Sequence, residues 1–141
     1  MEMSVYLSFN GECERAFRFY EQCLGGRLGG IFRYEGSPMA NQVPAEWQDK
    51  VMHGSITLCD QVLMGADSAP GSYEKPKGFS LTLQIESSSE AERIFRELAN
   101  EGEVGMPLQK TFWAARFGMV VDRFGIPWMI SCEAREESPT G

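Results

Sequence analysis

The sequence predicts an α+β fold made of two βαβββ modules, and three observations carry the prediction. Strand-like and helix-like segments recur in one order, strand, helix, three strands, in each half of the 141-residue chain. Glu14-Arg15-Ala16-Phe17-Arg18 returns as Glu92-Arg93-Ile94-Phe95-Arg96, and an internal repeat sets the architecture before any other feature does. Neither half could bury its sheet face alone. Together they can form a curved mixed or antiparallel sheet with the helices outside and a concave face inside.

The elements follow in order. Ser4 to Phe9 is a partly alternating run of β-formers, read as a strand. Asn10 is placed to cap a helix, with Glu12 and Glu14 suited to its first turn. Ala16, Phe17, Tyr20 and Leu24 recur at helical spacing, and Gly25-Gly26 ends the helix. A strand over Arg27 to Tyr34 follows. Residues 35–49 hold two prolines, a glycine and three amides, and read as a long loop with Trp47 as an anchor, suited to a lid or a partner-binding segment. Val51 to Cys59 and Val62 to Ala66 form a hairpin turned at Asp60-Gln61. Asp67 to Gly78 reads as the linker between halves. Phe79 to Ile85 alternates as a half-buried strand does. Ser87-Ser88-Ser89-Glu90 is a capping box before a helix ending near Asn100, with Ala91, Ile94, Phe95 and Leu98 as its apolar face. Strands near Glu103 to Leu108, Arg116 to Asp122 and Trp128 to Cys132 complete the second module. The expected organisation is one domain over 1–141: module one about 3–67, linker about 68–78, module two about 79–133 and a frayed tail 134–141.

Hydrophobic residues make up 43% of the chain, enough for a core, and nine Phe, eight Met and three Trp suit an apolar ligand cleft. The net charge of −7, with no Lys/Arg cluster, argues against nucleic acid as a partner. No run of about 18 apolar residues exists to cross a membrane. The first residues lack the basic and apolar regions of a secretory signal. Cys13, Cys23, Cys59 and Cys132 form no Cys-x-x-Cys pair, and read as four buried thiols in a reducing, cytoplasmic setting.

Thr111-Phe112-Trp113-Ala114-Ala115-Arg116-Phe117-Gly118 is followed by Asp122-Arg123-Phe124-Gly125-Ile126-Pro127-Trp128-Met129-Ile130. With the opening Tyr6-Leu7-Ser8-Phe9-Asn10-Gly11, the start Val51-Met52-His53 and Met106-Pro107-Leu108-Gln109, these stretches resemble the PhnB-like branch of the glyoxalase/bleomycin-resistance, or vicinal oxygen chelate, superfamily. The resemblance covers residues 3 to 133. It implies that superfamily's fold, pairing into homodimers, and, in the metal-dependent members, a divalent ion held by His and Glu on four strands. Those ligand positions fall on Val5, Met64, Phe79 and Met129. None offers a nitrogen, oxygen or thiolate donor, so the usual metal site is expected to be absent, with no cofactor in its place. Some members carry a demethylubiquinone methyltransferase label. No glycine-rich strand-to-helix turn for a methyl-donor nucleotide is present.

His53, the single histidine, is a candidate general base or lone metal ligand; a strand-start histidine bonded to backbone is the plain alternative. Arg116 beside aromatic residues suits a carboxylate or phosphate on a ligand, or else a surface ion pair. Trp113 is expected at an edge or pocket mouth, Trp128 in the core. With Val5 on the cleft face, Leu7 and Phe9 line it too. Asp122, Glu12 and Glu86 read as solvated or capping charges. The expected function is binding of a small organic ligand in an apolar cleft through Val5, Leu7, Phe9, Met64, Phe79, Trp113, Arg116 and Met129. The alternatives are a glyoxalase-type lyase, isomerase or oxidoreductase centred on His53, and a dimeric interaction protein without ligand.

Overall fold

The structure, a computed structural model, describes residues 1–133; the tail expected over 134–141 lies outside the described residues. The chain divides into two compact units, Met1–Lys75 and Pro76–Gly141.

In the first unit β1 (Val5–Phe9), α1 (Cys13–Leu24), β2 (Arg27–Arg33), β3 (Val51–Leu58) and β4 (Gln61–Asp67) follow one another. The sheet order is β1-β4-β3-β2. β1 and β4 run parallel, and the other neighbours are antiparallel. The second unit repeats this with β5 (Leu81–Gln84), α2 (Ser88–Ala99), β6 (Glu103–Gln109), β7 (Arg116–Val121) and β8 (Pro127–Cys132), in the order β5-β8-β7-β6. β5 pairs with β8 in parallel, and the rest is antiparallel. Each module is therefore a mixed four-stranded sheet backed by one helix, as the repeated element order predicts.

The sequence echo is an echo of packing. α1 buries Cys13, Ala16, Phe17 and Tyr20, with Cys23 one turn on, and α2 buries Ala91, Ile94, Phe95 and Leu98 at matching positions. Phe17 meets Phe9 edge to face, with ring centres 5.7 Å apart. Each helix phenylalanine also settles over a strand glycine. A Cβ at Gly65 would stand 3.0 Å from the Phe17 ring, and one at Gly118 2.8 Å from the Phe95 ring. Burying one such ring contributes about 1.5–3 kcal/mol.

The helix starts differ from one another. Ser87 caps α2 through its hydroxyl, which accepts from the Glu90 amide at 3.2 Å, as the Ser-x-x-Glu pattern predicts. α1 has no cap from Asn10. The first helical amide, on Cys13, donates instead to Asp67 Oδ1 at 2.9 Å. Asp67 closes β4 rather than opening a linker. It is 1% exposed, its Oδ2 accepts from the Val51 amide at 2.9 Å, and its carbonyl accepts from the Tyr34 hydroxyl at 2.7 Å. One carboxylate thus joins the start of α1 to the start of β3, and the carbonyl of the same residue holds Tyr34, just past β2. Asp122, read as a solvated or capping charge, is buried too and caps the turn before β8. It accepts from the Phe124 and Ile126 amides at 2.8 and 3.0 Å and from the Trp128 indole at 2.8 Å.

The loop over 35–49 is shorter on irregular backbone than expected, since 3-10 turns occupy Ala40–Gln42 and Ala45–Trp47. Trp47 donates to the Ser68 carbonyl at 3.1 Å. A Cβ on Gly11 would stand 3.0 Å from its ring. The hairpin turn sits on Cys59 and Asp60, with Leu58 opposite Gln61 and Cys59 at positive φ. Of the four cysteines, Cys13, Cys23 and Cys132 are buried, and Cys59 is exposed.

Candidate functional site

The face of each sheet is decided by where its helix lies. In the first unit Val5, Leu7 and Phe9 stand opposite Leu63, Gly65 and Asp67. Leu7 and Phe9 are 1% and 0% exposed and point to the α1 side. This corrects the expectation that Val5, Leu7 and Phe9 line the ligand face: a strand covered on one side turns its apolar alternation toward the helix. The open face belongs to the other alternation, Tyr6 and Ser8. Tyr6 stands opposite Met64, Met64 opposite Ser55, and His53 opposite Phe32.

His53 is the centre of that face. Its Nδ1 lies 3.2 Å from the Tyr6 hydroxyl, so its ring is oriented by a side chain rather than by backbone. The Tyr6 and His53 ring centres are 5.7 Å apart, and those of Phe32 and His53 6.4 Å. Tyr6 and Phe32 are 51% and 58% exposed, which leaves the group open to a ligand. Partial burial, with Cys13 and Tyr34 behind it, pushes the Tyr6 hydroxyl above its ordinary pKa, so the phenol keeps its proton at neutral pH. Tyr6 and Phe32 escaped the sequence reading. The alternation that hides Leu7 and Phe9 was the available signal for Tyr6.

In the second unit Trp128 and Ile130 face α2, with Trp128 1% exposed as expected of a core residue. Met129 takes the open face, opposite Met119 on one side and Thr82 on the other, and Met119 stands opposite Met106. Trp113 is 53% exposed and packs edge to face on Phe117 and Phe112, with centres 5.4 and 4.8 Å apart. Phe79 precedes β5 and is 49% exposed. Arg116 is occupied: its Nε donates to Glu92 at 3.3 Å and its Nη1 to the Ala115 carbonyl at 2.8 Å. It stands over the α2 side of β7 as half of an ion pair, the alternative that the sequence leaves open beside an anionic ligand.

The four positions carried over from the metal-dependent members do not converge on one ion. Val5 and Met64 lie on opposite faces of their sheet, since Met64 is opposite Tyr6. Neither they nor Phe79 and Met129 carry a donor for such an ion. Among the described residues no three His, Cys, Asp or Glu side chains are grouped to share one.

Two βαβββ modules, each a mixed sheet backed by a helix, define the glyoxalase/bleomycin-resistance class of fold. Within that class the chain belongs to the family described as 3-demethylubiquinone-9 3-methyltransferase, whose sequence model matches residues 1–131. The chain is similar to protein YjdN of Escherichia coli K12, 34% identical over 139 residues that cover 93% of this chain and 95% of that one. The crystal structure of protein PA1353 from Pseudomonas aeruginosa is 46% identical, with a TM-score of 0.85, covering 95% of this chain and 98% of that one. A Bacillus cereus structure, described as a putative 3-demethylubiquinone-9 3-methyltransferase and PhnB protein, is 25% identical with a TM-score of 0.81, covering 94% and 99%.

Proposed function

We propose that the protein binds a small, uncharged organic molecule on the open face of its first sheet, without the divalent ion of the superfamily's metal-dependent members. One observation carries the reading: Tyr6 and His53 form a hydrogen-bonded pair at 3.2 Å, flanked by the exposed Phe32 ring. A few polar groups set among apolar and aromatic walls are what a small-molecule site needs. Met64, opposite Tyr6, adds a soft, adaptable contact. One domain spanning both units, a homodimer and a cytoplasmic setting go with this reading; the free thiols favour that compartment. Methyl transfer is left out, because the turn Asn10-Gly11-Glu12 between β1 and α1 has a single glycine for a nucleotide.

The test is a screen of metal-stripped protein against neutral aromatic ketones, lactams and phenols, read by thermal stabilisation. Hits should lose affinity in Phe32→Ala. A screen in which no compound stabilises the protein overturns the binding reading. Stoichiometric, tight uptake of Mg, Mn, Ni, Co, Zn or Fe(II) by the stripped protein overturns its metal-free part.

A second reading, an enzyme centred on His53, is favoured by the same hydrogen bond. Functional histidines need an orienting partner, and Tyr6 is placed to be one.

A further inference from the structure

We propose that Tyr6 fixes His53 as an outward N–H donor, so that the open face of the first sheet selects ligands with a neutral hydrogen-bond acceptor, a ketone, amide or lactam oxygen, on a flat apolar body. The proposal rests on the small-molecule reading above and names the ligand class of that site.

The Tyr6 hydroxyl lies 3.2 Å from His53 Nδ1. A neutral imidazole has one donor nitrogen and one acceptor nitrogen, and the bond made by one decides the role of the other. A phenol is a stronger acid than a neutral imidazole N–H, and an imidazole nitrogen is a stronger base than a phenol oxygen. The hydroxyl therefore donates and Nδ1 accepts. Burial, with Cys13 and Tyr34 adding to it, holds that hydroxyl above its ordinary pKa, so it has the proton to give at neutral pH. The ring's own N–H is left on Nε2. That atom lies at the far end of the imidazole from Tyr6, so a ligand there meets Nε2–H alone.

The surroundings set the rest of the ligand. Phe32 stands opposite His53 on β2, with the two ring centres 6.4 Å apart and the rings tilted by 34°. Gly29 and Gly30 come just before it. A Cβ on Gly30 would stand 3.2 Å from the Phe32 ring, and one on Gly29 would run into the Ser55 hydroxyl. Without those side chains the Phe32 ring can lie back over its own strand, and the floor beside it stays low. Met64 stands opposite Tyr6, and Ser55 opposite Met64. None of these residues carries a charge, so they offer nothing that favours an ionised acceptor over a neutral one. The aromatic ring and the thioether match a flat apolar body, and Nε2–H matches its acceptor. His53 is only half-buried, which keeps that donor within reach.

The experiment uses the single histidine of the chain as its own reporter. Nitrogen-15 spectra of the full chain at about pH 8.5, where an imidazole is neutral, should show Nδ1 unprotonated and the proton on Nε2. Acetophenone is then titrated against α-methylstyrene, which has the same shape with CH2 in place of oxygen, and against N-methylaniline, which offers a donor instead. Acetophenone should bind about fivefold tighter than α-methylstyrene, the worth of one hydrogen bond, and should shift Nε2 far more than Nδ1. In Tyr6→Phe, with circular dichroism unchanged, both nitrogens should move toward the averaged positions of exchanging tautomers, and the preference should shrink to about twofold. A proton found on Nδ1, equal binding of acetophenone and α-methylstyrene, or tightest binding of N-methylaniline overturns the proposal and leaves the binding reading standing. Unchanged resonances and an unchanged preference in Tyr6→Phe overturn the part given to Tyr6. No shift with any of the probes overturns both readings for ligands of this size.

Discussion

Replacing Asp67 by alanine removes the one carboxylate that satisfies two buried amides of different elements. Cys13 and Val51 each donate to it at 2.9 Å, and Asp67 is 1% exposed. Each amide left without an acceptor costs about 1–3 kcal/mol, so Asp67→Ala should destabilise by about 4 kcal/mol. The Tyr34 bond to the Asp67 carbonyl does not depend on the side chain and offsets nothing. With an unfolding entropy of about 2.1 cal/mol/K per residue, the 141 residues give about 0.3 kcal/mol/K, so the melting temperature should drop by about 13 °C. Asp67→Asn keeps one oxygen acceptor but turns an NH2 toward the other amide, and should cost about half as much. Urea denaturation with both variants is the assay. A loss under about 1 kcal/mol in Asp67→Ala, or no difference between the two variants, would refute the view that this carboxylate caps α1 and anchors β3.

Two further outcomes can be checked. Burial first, and Asp67 and Glu14 after it, push the Cys13 thiol well above its ordinary pKa. Cys13, Cys23 and Cys132 are buried, so a thiol reagent should modify Cys59 alone in the native protein and all four cysteines in urea, counted by mass. Hydrogen bonds from Arg33 and Arg18, at 2.9 Å to each guanidinium, hold the Glu14 carboxyl below its ordinary value of 4.5. A carboxyl that titrates lower in the folded state contributes its full stability above that ordinary value, and loses it as pH falls through the folded one. Arg33→Gln should therefore cost about 0.5–1 kcal/mol at pH 7, the small size reflecting partial exposure, and almost nothing at pH 2.5. An equal cost at both pH values would show that the ion pair is not the cause.

Much of the fold was legible because it rests on local chemistry. Alternation marked β5, helical spacing marked the buried faces of α1 and α2, and Ser87 announced its own cap. The repeat of five residues worked because the buried positions of the two helices share one register. The site was less legible, for a tertiary reason. Which side of β1 is open depends on where α1 comes to rest, and carrying Val5 onto the cleft face assigned Leu7 and Phe9 with it. The same strand held the answer, since Tyr6 and Ser8 alternate with apolar residues that a helix must cover. Asp67 was read as part of the linker and Asp122 as a solvated or capping charge, because a buried carboxylate and an exposed one look alike in sequence. Only the amides that converge on them tell the two apart. Arg116 was read as a fork for a ligand because Glu92, 24 residues earlier on another element, becomes its neighbour only after folding.

The tethering of the loop between β2 and β3 bears on how fast a ligand could enter. Trp47 holds that segment to the Ser68 carbonyl and lies against Gly11, while the Gln48 amide bonds the Ala40 and Val43 carbonyls from inside it. A segment anchored at Trp47 and braced from inside by Gln48 is poorly suited to swing as a gate. Uptake on the open face of the first sheet should then be a single encounter step. Its observed rate would rise in proportion to ligand concentration with no plateau, the kinetic form of a site that is always open.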